Sequence, residues 1–157
     1  LQHAVDTSGR HFGAMNPLNI GGIDPKRIEL AVTERLVAVP VLPKLLAAET
    51  YAGRPGLVEE VRAMAMSAKP EGVIAALTGM AIRSDSTDLL AAVAMPYLVI
   101  AGTQDALIPP EEQARMASAI EGAELASIEG AGHLSNLEAP EAFVAAVAAF
   151  LERVDAR

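Results

Sequence analysis

Apolar positions recur at helical spacing through the first part of this chain and are joined in the second by short continuous runs, and that change divides it. From Asp24 the spacing is helical: Asp24 suits an N-cap, Pro25 suits the first helical position, and Ile28, Val32 and Leu36 follow four apart, which predicts a helix to about Val37. Pro40 and Pro43 predict a short turn, and Lys44–Thr50 a further helical turn or two. After the break at Arg54-Pro55-Gly56, Leu57, Val58, Val61, Met64 and Ala65 share one face of a predicted helix to about Ser67. Pro70 opens another, with Val73, Ile74, Leu77, Met80 and Ala81 on one side, and Ser86 or Thr87 caps a short helix facing inward through Leu89, Leu90 and Val93.

Beyond Pro96 the pattern changes. Tyr97–Ala101 is a continuous apolar run without strict alternation, which predicts a strand buried on both faces. Pro109-Pro110-Glu111-Glu112 begins a helix with carboxylates in its first turn, where the helix dipole favours them, and Ala114, Met116, Ala117 and Ile120 face inward until Gly122 stops it. Leu125, Ser127 and Ile128 mark a second strand of the same buried type. Gly130-Ala131-Gly132 then allows a sharp turn, and Ala139-Pro140-Glu141 opens a terminal helix whose stripe is Phe143, Val147, Phe150, Leu151 and Val154. Residues 1–24 sustain neither period and read as a loop or poorly ordered arm. The expected organisation is therefore an arm over 1–24, a helical region over 25–83 and a strand–helix–strand–helix segment over 84–157, with the two strands parallel.

Each predicted strand stops at glycine and then presents one ionisable side chain: Gly102-Thr103-Gln104-Asp105 after the first, Gly130-Ala131-Gly132-His133 after the second. Buried parallel strands deliver functional groups in this way, at their C-terminal ends. An Asp and a His so placed suit one task. The carboxylate fixes the imidazole tautomer and steadies the imidazolium, while the imidazole removes a proton from a nucleophile and returns it to the leaving group. Asp85 precedes no such position and reads as a turn or cap residue. His3 and His11 lack helical pairing and a third ligand, so no metal or other cofactor is expected.

Gly102-Thr-Gln-Asp105 followed by Pro109-Pro110, and Gly130-Ala-Gly-His133 followed by Leu137-Glu-Ala-Pro140-Glu141, resemble the Asp and His segments of α/β-hydrolases, most nearly those of 3-oxoadipate enol-lactonase-like esterases. The resemblance covers roughly Asp24 to Val154. It implies an α/β class, namely a partial α/β-hydrolase fold with a helical cap region over 25–83 followed by two parallel strands with flanking helices. It also makes Asp105 the acid and His133 the base of a Ser-His-Asp triad in the chain order Ser, Asp, His. Met64, Met66 and Met80 would then line an adaptable acyl pocket beneath the cap or fill helix–helix contacts. The substrate implied is a small carboxylic ester or lactone.

These 157 residues contain no Gly-x-Ser-x-Gly elbow and no HGGG-type oxyanion segment; Gly21-Gly22 follows Asn19-Ile20, which is no strand. Three expectations remain open on this point. The chain is the C-terminal part of a longer or split hydrolase; or it is a short variant that uses another nucleophile or water, with Ser135 or Thr103 near the dyad as improvised candidates; or it is a catalytically silent fragment or interaction domain.

Composition bounds these readings. A chain of this length makes one domain with a real core, burying about two-thirds of the surface its unfolded form exposes. A net charge of −8 leaves no basic stripe for nucleic acid. Cysteine is absent, which excludes disulfides and thiol nucleophiles. Every apolar run is interrupted before the roughly 20 residues that a membrane span needs, so no membrane partner and a cytoplasmic location are expected. Two strands apolar on both faces cannot cover their own edges, which predicts a homo-oligomer or a complementing N-terminal half.

Overall fold

The computed structural model describes Lys26 and residues 38–156. The arm over 1–24 and the helix expected to about Val37 lie outside the described residues, apart from Lys26, which is helical. From residue 38 the described chain runs through helices α1 (Ala38–Leu45), α2 (Ala48–Gly53), α3 (Pro55–Ser67) and α4 (Pro70–Ile82) and a 3₁₀ turn over Thr87–Ala92. There follow β1 (Leu98–Gly102), α5 (Pro110–Ser118), β2 (Glu124–Ile128), a single-turn helix α6 (Ser135–Glu138) and α7 (Pro140–Asp155).

The strands pair in parallel with Leu98 opposite Glu124 and Gly102 opposite Ile128. A parallel pair needs a crossover, and α5 supplies it while packing on β1. Val99, Ala101, Ala117, Ile120, Ile128 and Ala131 are buried around this unit. Because both strands run the same way in register, their C-terminal ends lie side by side, and the two following turns are tied together. Thr103 N donates to Ile128 O at 3.1 Å, Gln104 N to Ala131 O at 2.8 Å, and Gly130 N to Thr103 Oγ1 at 2.9 Å.

A second buried cluster joins the early helices. Leu42 and Leu46, each 1% exposed, meet Val61 of α3, with Leu45, Tyr51, Leu57 and Val58 packed around them. Leu134 and Leu137 also pack there, so the turn that carries His133 belongs to both cores.

Four sequence expectations are corrected. Pro40 and Pro43 do not bracket a turn: α1 runs through both. Pro40 sits in the first turn, where no intrahelical donor is needed, and the one bond lost at Pro43 is offset by the burial of Leu42 beside it. The segment after Thr87 is 3₁₀, in which residues three apart are eclipsed; Leu90 and Val93 are half-buried while Leu89 is 66% exposed. In α7 the half-buried stripe is Phe143, Val147, Phe150 and Val154, and Leu151, at its margin, is exposed. Strand β2 is not buried on both faces: its side chains alternate between the two, and those of Leu125 and Ser127 are exposed.

Candidate active site

Asp105 and His133 leave the ends of β1 and β2 and meet. His133 Nδ1 lies 2.9 Å from Asp105 Oδ2. The Asp105 side chain is 4% exposed and that of His133 32%, so the acid is enclosed while the ring reaches the surface.

The local chain explains the placement of the acid. Asp105 N donates to Gly102 O at 3.2 Å, turning the chain directly after β1. Oδ1 then accepts from Leu107 N at 2.8 Å and from Ile108 N at 3.0 Å, so the carboxylate organises the loop that leads into α5. Oδ2 accepts from Gln113 Nε2 at 3.2 Å as well as facing His133. Gln113 also donates to Ile108 O at 2.9 Å and is buried. A buried carboxylate with all its acceptor sites occupied has little freedom to rotate, which is what an orienting acid requires.

With Oδ2 an acceptor, the hydrogen-bond pattern assigns the His133 proton to Nδ1 and leaves Nε2 as the basic lone pair. The turn beneath it depends on glycine twice. Gly130 adopts φ +70°, which side chains other than glycine rarely take. Gly132 lies so close to the α1–α2 junction that a Cβ would stand 2.5 Å from Ala47 N and 2.7 Å from Leu46 C.

The other candidates stand apart from this pair. Asp85 is exposed and accepts from Thr87 N at 2.9 Å and from the Thr87 hydroxyl, the turn role read from the sequence. Ser135 is buried at the start of α6, and Thr103 Oγ1 accepts from Gly130 N at 2.9 Å. His3 and His11 lie outside the described residues, among which no group of three or more His, Asp or Glu side chains could hold a metal ion. No helix among the described residues is long and apolar enough to cross a membrane.

Gln113 and Glu138 were not singled out from sequence. Gln113 follows two glutamates in an amphipathic helix and reads as part of its wet face. Glu138 belongs to the motif after His133, but no local pattern marks it as buried, at 8% exposure.

Comparison with known proteins shows the family of the chain. The model of the alpha/beta hydrolase family matches residues 7–146. A thermophilic esterase from Thermogutta terrifontis superposes with a TM-score of 0.76 at 39% identity, over 85% of this chain and 52% of that one. The enol-lactonase from Burkholderia xenovorans LB400 does so with a TM-score of 0.73 at 25% identity, over 81% of this chain and 49% of that one. A polyketide synthase of Burkholderia thailandensis, ThaQ, is 45% identical over 71 residues, which are 45% of this chain and 3% of that protein. The chain thus spans about half the length of the two solved enzymes.

Proposed function

The chain belongs to the alpha/beta hydrolase family, and from that premise we propose that it supplies the acid and the base of a hydrolase acting on carboxylic esters or lactones. The observation that carries this reading is the 2.9 Å contact between a four-fold hydrogen-bonded Asp105 and a surface-reaching His133. Esterase and lactonase neighbours support the substrate class. Helices α1–α4 are the proposed cap, whose underside shapes the acyl site.

In this mechanism His133 Nε2 takes the proton of an attacking hydroxyl as its oxygen bonds to the carbonyl carbon. Asp105 stabilises the resulting imidazolium, which then returns the proton to the leaving alkoxide as the carbon–oxygen bond breaks. Water repeats the sequence to release the acid. The nucleophile elbow and oxyanion donors come from a segment outside these 157 residues, either a complementing N-terminal half or a second chain. No cofactor takes part in any step.

The test is hydrolysis of a short-chain p-nitrophenyl ester by the chain, together with its complementing half where one is required, beside His133→Ala and Asp105→Asn prepared identically. Loss of His133 is expected to abolish the measurable rate, and Asp105→Asn to lower kcat by about 10⁴-fold through the wrong tautomer. Equal rates in all three proteins would instead favour a catalytically silent domain, the reading that the missing Gly-x-Ser-x-Gly motif recommends.

A further inference from the structure

We propose that Glu138 is a positioning residue for His133, its carboxylate fixing the His-bearing turn against the junction of α1 and α2. The proposal rests on the reading of His133 as the base and adds a part to that site.

The hydrogen bond that His133 donates to Asp105 restrains only one atom of the imidazole. The ring can still swing about that atom unless its backbone is also held, and Glu138 holds it. Its Oε1 accepts from Gly132 N at 2.8 Å, one residue before His133, and its Oε2 accepts from Ala47 N at 2.9 Å, at the start of α2. Its main-chain carbonyl accepts from Arg54 Nη1 at 2.7 Å. One residue thus joins the His turn to two points of the helical region.

Neighbouring contacts act in the same direction. Leu134 N donates to Leu45 O at 3.1 Å, and Leu134 and Leu137 pack on the Leu42–Leu46–Val61 cluster. The closeness of Gly132 to Ala47 leaves no room for even a methyl group, and a Cβ there would also stand 2.9 Å from Glu138 Oε1. Backbone N–H groups bonded to a carboxylate form bonds stronger than those to a neutral acceptor, and the site is buried. A displacement of about 1 Å at a catalytic group can cost about 10²-fold in rate, so the hold on the His133 backbone bears directly on turnover. The same linkage makes any shift of α1–α3 reach the base.

Glu138→Gln tests this with little change of shape, because an amide offers one acceptor oxygen and turns an NH₂ toward the other backbone N–H. Three readouts are taken on the full chain: amide hydrogen exchange at Gly132 and Ala47, the downfield proton resonance of His133 Nδ1, and ester hydrolysis under the conditions above. The expected result is exchange at least tenfold faster at one or both amides, broadening or loss of the Nδ1 resonance, and a kcat that falls more than KM rises. Glu138→Asp is the second variant. It keeps the charge but shortens the side chain by one methylene, so that one carboxylate no longer spans the Gly132 and Ala47 donors, and it carries the test if Glu138→Gln does not fold. Its expected effect is a smaller change of the Nδ1 resonance in the same direction. Unchanged amide exchange and an unchanged Nδ1 resonance in the folded variant would overturn the proposal. If the exchange and the resonance respond while no variant and no parent hydrolyses ester, the anchor stands and the hydrolase reading fails.

Discussion

Asp105 and Asp85 each accept a hydrogen bond from the backbone two residues on, yet only one reaches the candidate site. Asp105 is buried because β1 ends at Gly102, three residues before it, and because Gln113 and His133 close over its second oxygen. Asp85 stays in water, and its carboxyl is held below the usual value of 3.8 first by the Thr87 hydroxyl and then by the Thr87 N–H. Since its folded-state value is the lower one, its contribution to stability is complete above the unfolded value and is lost as the pH falls through the folded one. The expected outcome is that the Thr87 amide resonance titrates with a midpoint below 3.8, a behaviour that Asp85→Asn removes. A midpoint at or above that value would contradict the bonded turn. The choice of Asp105 over Asp85 was legible from sequence, because only Asp105 stands past an apolar run. Gln113 was not, because a polar residue on a helix shows which way it faces only when the helix has been packed.

Among the elements, the crossover β1–α5–β2 was readable almost to its ends, since glycine and proline punctuate each boundary. The turns beyond the strands depend on backbone approaches that no periodicity reveals. A Cβ on Gly102 would stand 2.1 Å from Gly132 O and 2.5 Å from Ala131 O, both main-chain atoms of the His turn. Gly102→Ala must therefore push that turn away. Overpacking of this kind commonly costs about 1–3 kcal/mol. The expected result is a lowered urea midpoint with an unchanged slope, and a midpoint equal to that of the parent would show that the two turns are not in contact. The early helices were less legible. Two prolines in eight residues argue locally for a turn over 38–45, but the burial of Leu42 and Leu46 against α3 outweighs one missing hydrogen bond. Burial of this sort is a property of the partner helix as much as of α1 itself.

For the molecule as a whole, the helical region and the β1–α5–β2 unit meet at the turn carrying His133. The strands pair only with each other among the described residues, and Leu125 lies exposed on β2. Strands of this kind offer open edges to another chain. The proposal of an assembly, with itself or with a complementing N-terminal half, therefore predicts sedimentation above the monomer mass at micromolar concentration for the chain alone. A compact monomer under those conditions would rule out self-association. Addition of the complementing half should then give a one-to-one complex if that half supplies the missing sheet.

The order of groups along the chain and the class of elements between them were set by local rules, whereas the pairing of Asp105 with His133, expected from the resemblance, is made by the parallel register of β1 and β2 across 28 residues. Apolar period, glycine stops and proline starts act over a few residues and are written in them. Whether Glu138 faces water or anchors the His turn was decided by tertiary structure alone. Its partners Gly132 and Ala47 are 6 and 91 residues away, and a hydrogen bond across 91 residues leaves no periodic trace. The same holds for Pro43 within α1 and for the enclosure of Gln113. In each case a local preference of at most a few kcal/mol is overruled by burial, which forms only when distant parts of the chain meet.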